Sequence, residues 1–592
     1  MVKHLLFCWF WTVSAVGFTQ TITHTWKAVA GSTDWNTASN WSPASVPGSG
    51  SNVLIGASNF QPRLSGNVTV NHLKLDYSAI GLNLGSYTLT LTQSLFADHS
   101  LIVSNGGKLV SPLVSRFLGC TVQGTVTLEL DAGVMNGGNT FQNDLTLRVN
   151  SPIGSSFLMA WVQRDVYQGN VTLINNGQGG VHLAAYAATG SAPTTFEGNF
   201  TFINNTGSPN YLAENATAGT LLFKGAVSIE DNTTDPNSFI RILKSEFQKP
   251  VSLLSKAANI SFAGAVVLKD NLSLNGQGGS FAFSQEASLS TKVIVAHPAT
   301  IQVGGSGFSS GSINLDWLDY QSGSDLNLLL GDGNTHTGVL TAIKTTANAV
   351  FSGKVNLRAD YMEFNGSTFQ SAVSVERTGP NIGAGAYWNG GGNSSGGNTF
   401  HAPLTVINHS NTGWKWGTLA TDVFNANVTL IHGRGSASKL YLAQTGHHQF
   451  KGNLTLQSTS DAVASGGIQV GHASDTTELA VGKLITGTGF LSGQIKLYRF
   501  HQRGFSTPQT LTLPQAAALT LEQAVFESSL YTTTGHLALN NSIFYRYSTF
   551  TKTAAGTDYN NGDNLFYRHC KFSNQAPAGS NLQFVAPNSV IR

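Results

Sequence analysis

The chain has 592 residues, with 32 Lys and Arg against 30 Asp and Glu, a net charge of +2 and only 10% charged residues. That balance argues against a partner recognised by bulk charge, such as nucleic acid or acidic lipid, and 41% hydrophobic content with 33 Phe excludes a disordered chain. The length exceeds what one compact core holds, so several domains or a repeat array are required, and 65 Gly points to a long all-β chain rich in turns.

Residues 1–20 read MVKHLLFCWFWTVSAVGFTQ, a short basic start, an apolar run and small residues. This predicts a secretory signal peptide cleaved after Gly17 or near Gln20, too short to span a bilayer. Cys8 leaves with it, so only Cys120 and Cys570 remain, which excludes a disulfide framework and predicts two buried small apolar residues. Residues 24–55 gather Trp26, Trp35 and Trp41 among Pro43, Pro47 and several Gly. Aromatic clusters of this kind can stack on sugars, but the simpler expectation is an amino-terminal cap over residues 21–60 that seals the open end of stacked strands.

From residue 53 the text becomes short apolar alternations broken by Gly and Asn, without a capped helical pattern. One phrase returns: aromatic, any, small or amide, any, Val/Leu, Ser/Thr, aliphatic. It starts at Phe141, Tyr167, Phe196, Phe223, Phe247 and Phe262, then at Phe351, Phe369, Phe400, Phe424 and Phe450. The spacing is 26, 29 and 27 residues over the first four starts and 24 and 26 over the last three; 15 (247 to 262) and 18 (351 to 369) mark irregular coils. A second phrase lies between copies, as in Tyr211-Leu212-Ala213 and Tyr441-Leu442-Ala443. Near the end SIFYRYSTF and NLFYRHCKF repeat with an offset of 22. Such units require a parallel β-solenoid, expected as a right-handed β-helix of irregular 22–29-residue coils. About 20 coils rising about 4.8 Å each would span roughly 100 Å. Phrase positions 1, 5 and 7 share parity and are predicted to face inward, while positions 4 and 6 face out. The Asn residues after the strand (Asn175, Asn176, Asn204, Asn205, Asn408) are expected in a turn, where their amides can bond the coil above. Coils are expected over 61–500 and again over 501–592, where the chain stops in repeat text.

Chemistry-bearing constellations are sparse. In the ten copies from Tyr167 onward, positions 4 and 6 carry one charge, Lys354, so no carboxylate ladder for calcium and no acid/base pair is expected there. Asp316 and Asp319 flank Trp317, and their odd spacing puts them on opposite faces of a strand. His447-His448 lacks accompanying ligands at metal spacing. No cofactor is expected. Trp388, Trp414 and Trp416 form an exposed-looking aromatic patch, the candidate for glycan contact, with local packing as the simpler expectation.

The block TWKAVAGSTDWNTASNWSPASVP with the FxGxVTLxN and YLA phrases resembles repeat-bearing, adhesin-like cell-surface proteins of Bacteroidetes-type bacteria. That resemblance implies a secreted β-solenoid at the bacterial surface and transfers no catalytic residue. Such proteins commonly end in a sorting domain, which the text up to Arg592 does not contain. The expectation is therefore an exported, non-enzymatic adhesive or structural rod whose partners are glycans or other extracellular components, without nucleic acid or a transmembrane segment. A polysaccharide-binding or polysaccharide-degrading β-helix is the alternative.

Overall fold

A computed structural model describes residues 20–591, except 28–31, 77–80, 185–191, 214–218, 287–288, 332–340, 346–347, 380–393, 411–412, 434–438, 460–461, 463–464, 487–488, 561 and 585–589. The expected signal peptide, but for Gln20, and Trp388 lie outside the described residues. The described chain is built of strands, with one 3-10 turn at Ala38–Asn40, and none of its helices is long and apolar enough to cross a membrane. It divides into two compact units: the chain to Leu272 with Glu286–Thr291, and Ser273–Gln285 with Lys292 onward.

In the first unit one coil runs Val171–Asn175, Gly180–Leu183, Thr194–Phe196. The next runs Phe200–Asn204, Pro209–Leu212, Leu221–Phe223. Each strand pairs in parallel with its successor, Val171 with Phe200, Leu183 with Leu212 and Phe196 with Phe223. The second unit repeats the plan: Leu404–Asn408, Trp414–Lys415 and Val423–Phe424 pair with Val428–His432, Lys439–Leu442 and Gln449–Phe450. The fold is a parallel β-solenoid with three short strands per coil.

Parity places the core. Tyr167, Val171 and Leu173 are buried, while Gln168 and Asn170 are exposed and Thr172 is half-buried. Position 1 becomes a column of stacked rings, Phe141, Tyr167, Phe196, Phe223 and Phe247, with centroids 5.0, 4.6, 4.8 and 4.9 Å apart. Phe351, Phe369, Phe400, Phe424 and Phe450 do the same in the second unit at 5.0, 5.0, 5.5 and 4.8 Å. Each stacked pair adds roughly 0.5–1.5 kcal/mol beyond its burial. The glycine at position 3 follows from coil spacing: a Cβ on Gly198 would lie 2.5 Å from the Gly169 carbonyl oxygen. The alanine ending the second phrase turns the corner in the left-handed region, with φ of 52° at Ala184, 59° at Ala213 and 61° at Ala443. Left-handed backbone costs a non-glycine residue roughly 1–2 kcal/mol, and alanine crowds that corner least among side chains.

Two expectations need correction. Phe262 does not open a coil: it sits in the strand Asn259–Ala263, paired with Ile242, and the residue stacked on Phe247 in register is Leu268. The 15-residue spacing was a copy of the second phrase read in the wrong register, so Ala265 is a left-handed corner (φ 54°). Second, Asn175, Asn204 and Asn408 are the last, inward-facing residues of their strands, wholly buried. The first two bond between coils, but from inside: Asn175 Nδ2 donates to Asn204 Oδ1 at 3.2 Å, and Asn204 Nδ2 to Asp231 Oδ1 at 2.8 Å, whereas Asn408 Oδ1 accepts from the Ser410 N–H of its own turn at 3.3 Å. A buried amide is tolerated because its hydrogen bonds are made along the stack.

The tryptophan block packs inward. Trp41 meets Trp26 and Trp35 edge-on at 4.9 and 4.7 Å, its indole N–H donates to the Trp35 carbonyl at 2.7 Å, and all three are buried. His24–Trp26 pairs with Trp41–Ser42 and with Asn52–Ile55, tying the block to the first long strand, Val68–Asp76. Cys120 is buried as expected, whereas Cys570 is only half-buried because its coil is less enclosed. Burial pushes both thiols up to about 12, so neither is a ready nucleophile.

Candidate functional site

Of the candidate aromatic patch, Trp414 and Trp416 follow the packing alternative. Trp414 pairs with Leu440 and shares its inward parity; Trp416 stacks on Phe364 at 5.0 Å; both indoles are wholly buried. Packing turned them inward, and the outward residue between them is Lys415, whose ammonium lies 5.8 Å from the Tyr441 ring centre. A corner at Trp317 (φ 47°) separates Asp316 from Asp319, and Asp319 accepts from Gln321 Nε2 at 2.8 Å. The strand is thus not continuous across the pair. Lys354 is exposed, as its position predicts.

His447 and His448 part company. His448 is buried: its Nδ1 accepts from the Asp422 N–H at 3.2 Å and its Nε2–H donates to the Thr445 carbonyl at 2.7 Å, while burial lowers its pKa. His447 faces out, 3.2 Å from Glu478 Oε2. There it joins a strip where successive coils carry charge at outward positions, as Glu197 and Lys224 do in the first unit. Arg503 Nε is 3.0 Å from Glu478 Oε1 and its Nη1 3.9 Å from Glu527 Oε1. Glu527 also accepts from His501 Nε2 at 2.9 Å and the Gly504 N–H at 2.8 Å. Burial pushes the Glu527 carboxyl up, but the Gly504 N–H, His501 and Arg503 outweigh it and hold the group below the usual carboxylate range.

The strip continues as aromatic side chains. Pairing of Gln502 with Phe526, Phe526 with Phe544 and Phe544 with Phe566 sets Arg503, Glu527, Tyr545 and Tyr567 in one outward column. Tyr545 and Tyr567 stack at 4.8 Å, and Phe505, 55% exposed, meets Tyr545 edge-on at 6.4 Å. This column stands at phrase position 2, not at positions 4 and 6, and the doubled FYR is its signal in the sequence. A smaller charged feature in the first unit, a cleft of ≈ 330 Å³ lined by Leu222, Lys244, Glu246 and Val267, has its carboxylate occupied by Lys269 at 2.7 Å.

Chemically, the strip offers saturated carboxylates and open aromatic edges. Acid/base cleavage of a glycoside needs one carboxyl kept protonated near neutrality, and a carboxyl held low by three donors is a poor proton donor. Two carboxyls do rise to about 7, Asp165 and Asp422, but burial is the cause and both lie inside the solenoid. No family model, curated protein or solved structure matches the chain.

Proposed function

We propose that this is an exported, non-enzymatic β-solenoid of the adhesin-like kind, acting at the bacterial surface by contact with glycans or other extracellular components. The observation that carries the reading is the division of outward chemistry. Positions 4 and 6 of the phrase present amides and hydroxyls such as Asn170, Thr172, Asn199 and Thr201, while the strip of Glu478 and Glu527 has both its carboxylates engaged by His and Arg side chains. Such a surface makes weak polar and aromatic contacts, and repetition on stacked coils multiplies them into avidity. The signal-like amino terminus supports export.

The test is to incubate the full chain with a panel of polysaccharides, measuring retention and new reducing ends together. Retention without new ends is expected. Release of reducing ends that disappears in Glu478→Gln or Glu527→Gln would instead establish the polysaccharide-degrading alternative.

A further inference from the structure

The copies Phe544-Tyr545-Arg546 and Phe566-Tyr567-Arg568 lie in register on neighbouring coils, because Phe544 pairs with Phe566 and Ser548 with Cys570. The two phenylalanines stack inside at 5.0 Å. The tyrosines stack outside at 4.8 Å with 4° between ring planes. Arg546 and Arg568 are both exposed and so occupy equivalent places about one coil rise, ~4.8 Å, apart. Lys571 is exposed beside them on the second coil. Ion pairs elsewhere in this unit are plentiful, as in Lys496 with Glu522 at 2.7 Å and Lys552 with Asp558 at 2.9 Å, yet none among the described residues engages Arg546, Arg568 or Lys571. Stacked like charges repel, so folding gains nothing from this pair of arginines. The Arg546 guanidinium is also set over the Phe505 ring, 5.2 Å from its centre. A guanidinium beside a ring face still has N–H donors to offer a carboxylate or sulfate.

The geometry points to an anionic-polysaccharide site on these two coils. The acidic groups of the polymer bind Arg546, Arg568 and Lys571, the Tyr545 and Tyr567 hydroxyls take sugar hydroxyls, and the exposed Phe505 ring takes the apolar face of a sugar. The site rests on the glycan-contact reading above and narrows it to a charge class. Phosphoryl, carboxylate and sulfate groups share this recognition chemistry; a polymer needs the repeat that two stacked arginines supply.

The experiment uses the full chain on immobilised polygalacturonate, a sulfated glycan and neutral dextran at about 0.15 M salt, where exposed charges are screened beyond ~8 Å. Retention on an acidic polymer and not on dextran is expected, with a loss of about tenfold or more in affinity in the Arg546→Ala/Arg568→Ala variant. Polygalacturonate and the sulfated glycan tell carboxylate from sulfate recognition. Arg546→Lys/Arg568→Lys keeps charge without the planar fork and should retain the polymer with a smaller loss, which answers the question even if the alanine pair unfolds. Lys224→Ala, exposed in the other unit, should change nothing. No retention on either acidic polymer, equal retention on dextran, or full retention by the alanine pair overturns the site. The last of these leaves adhesion standing through another surface, whereas release of reducing ends overturns the adhesion reading itself.

Discussion

Two interior columns, two residues apart in the chain, solve burial differently. The ring column of Phe141, Tyr167, Phe400 and Phe424 is apolar and held by stacking. The column beside it contains Asn139, Asp165, Asn398, Asp422 and His448, all wholly or almost wholly buried. Each member of the second column accepts from a backbone N–H of the preceding coil: Cys120 to Asn139 at 2.9 Å, Asn139 to Asp165 at 2.8 Å, Ser367 to Asn398 at 3.0 Å and Asn398 to Asp422 at 2.9 Å. Here the chain leaves one strand for the next, and the N–H groups at the corner find no carbonyl. A side-chain acceptor supplies what the ladder lacks, since an orphaned buried N–H costs roughly 1–3 kcal/mol. The solenoid interior is therefore an apolar stack flanked by a hydrogen-bonded seam.

Breaking the ring column should have the largest effect. Phe400→Ala removes a ring stacked on both sides and should cost about 3–5 kcal/mol, read as a fall in the urea midpoint.

The polar column should respond to pH. Asp165 and Asp422 have carboxyls raised to about 7 in the folded protein from an ordinary value of 3.8. A raised folded value means the folded state holds the proton longer. The stability this contributes is present in full below about pH 4 and lost as pH rises through about 7, on the order of 4 kcal/mol per group. Asp422→Asn keeps the oxygen that accepts from Asn398 and removes the titration. Its urea midpoint between pH 4 and 8 should fall less than that of the parent chain; an unchanged slope would show that Asp422 does not titrate in this window.

The turn and strand that follow the ring column sharpen the contrast. Gly198→Ala drives a methyl against the Gly169 backbone and should cost about 1–3 kcal/mol, whereas Thr172→Val, on the half-buried outer face, should stay within about 0.5 kcal/mol. Comparing the two in one denaturant series separates coil-spacing constraints from surface chemistry.

The aromatic phrase made much of this legible. Parity placed Tyr167, Val171 and Leu173 inside and Asn170 and Thr172 outside, and the spacing of copies implied stacked coils. The tryptophan block packs its rings inward rather than presenting them. The polar seam escaped because Asn139 and Asp165 precede the phrase, where polar residues ordinarily signal solvent. Trp414 and Trp416 looked exposed for a related reason: a two-residue strand carries too little alternation to declare its faces. The candidate strip was hidden because Glu478, Arg503, Glu527, Tyr545 and Tyr567 are 18 to 25 residues apart in the chain.

By itself, then, the sequence determined the period, the strand parity and the interior rings, because side-chain alternation is local and repeats in every copy. Tertiary structure decided which coil lies against which and in what register. Turns of unequal length hide that alignment from the chain: Phe262 falls on the second strand and Leu268 on the ring column, Asn175 points into the core, and two Tyr-Arg pairs become neighbours. Backbone pairing between coils, not local propensity, sets those relations.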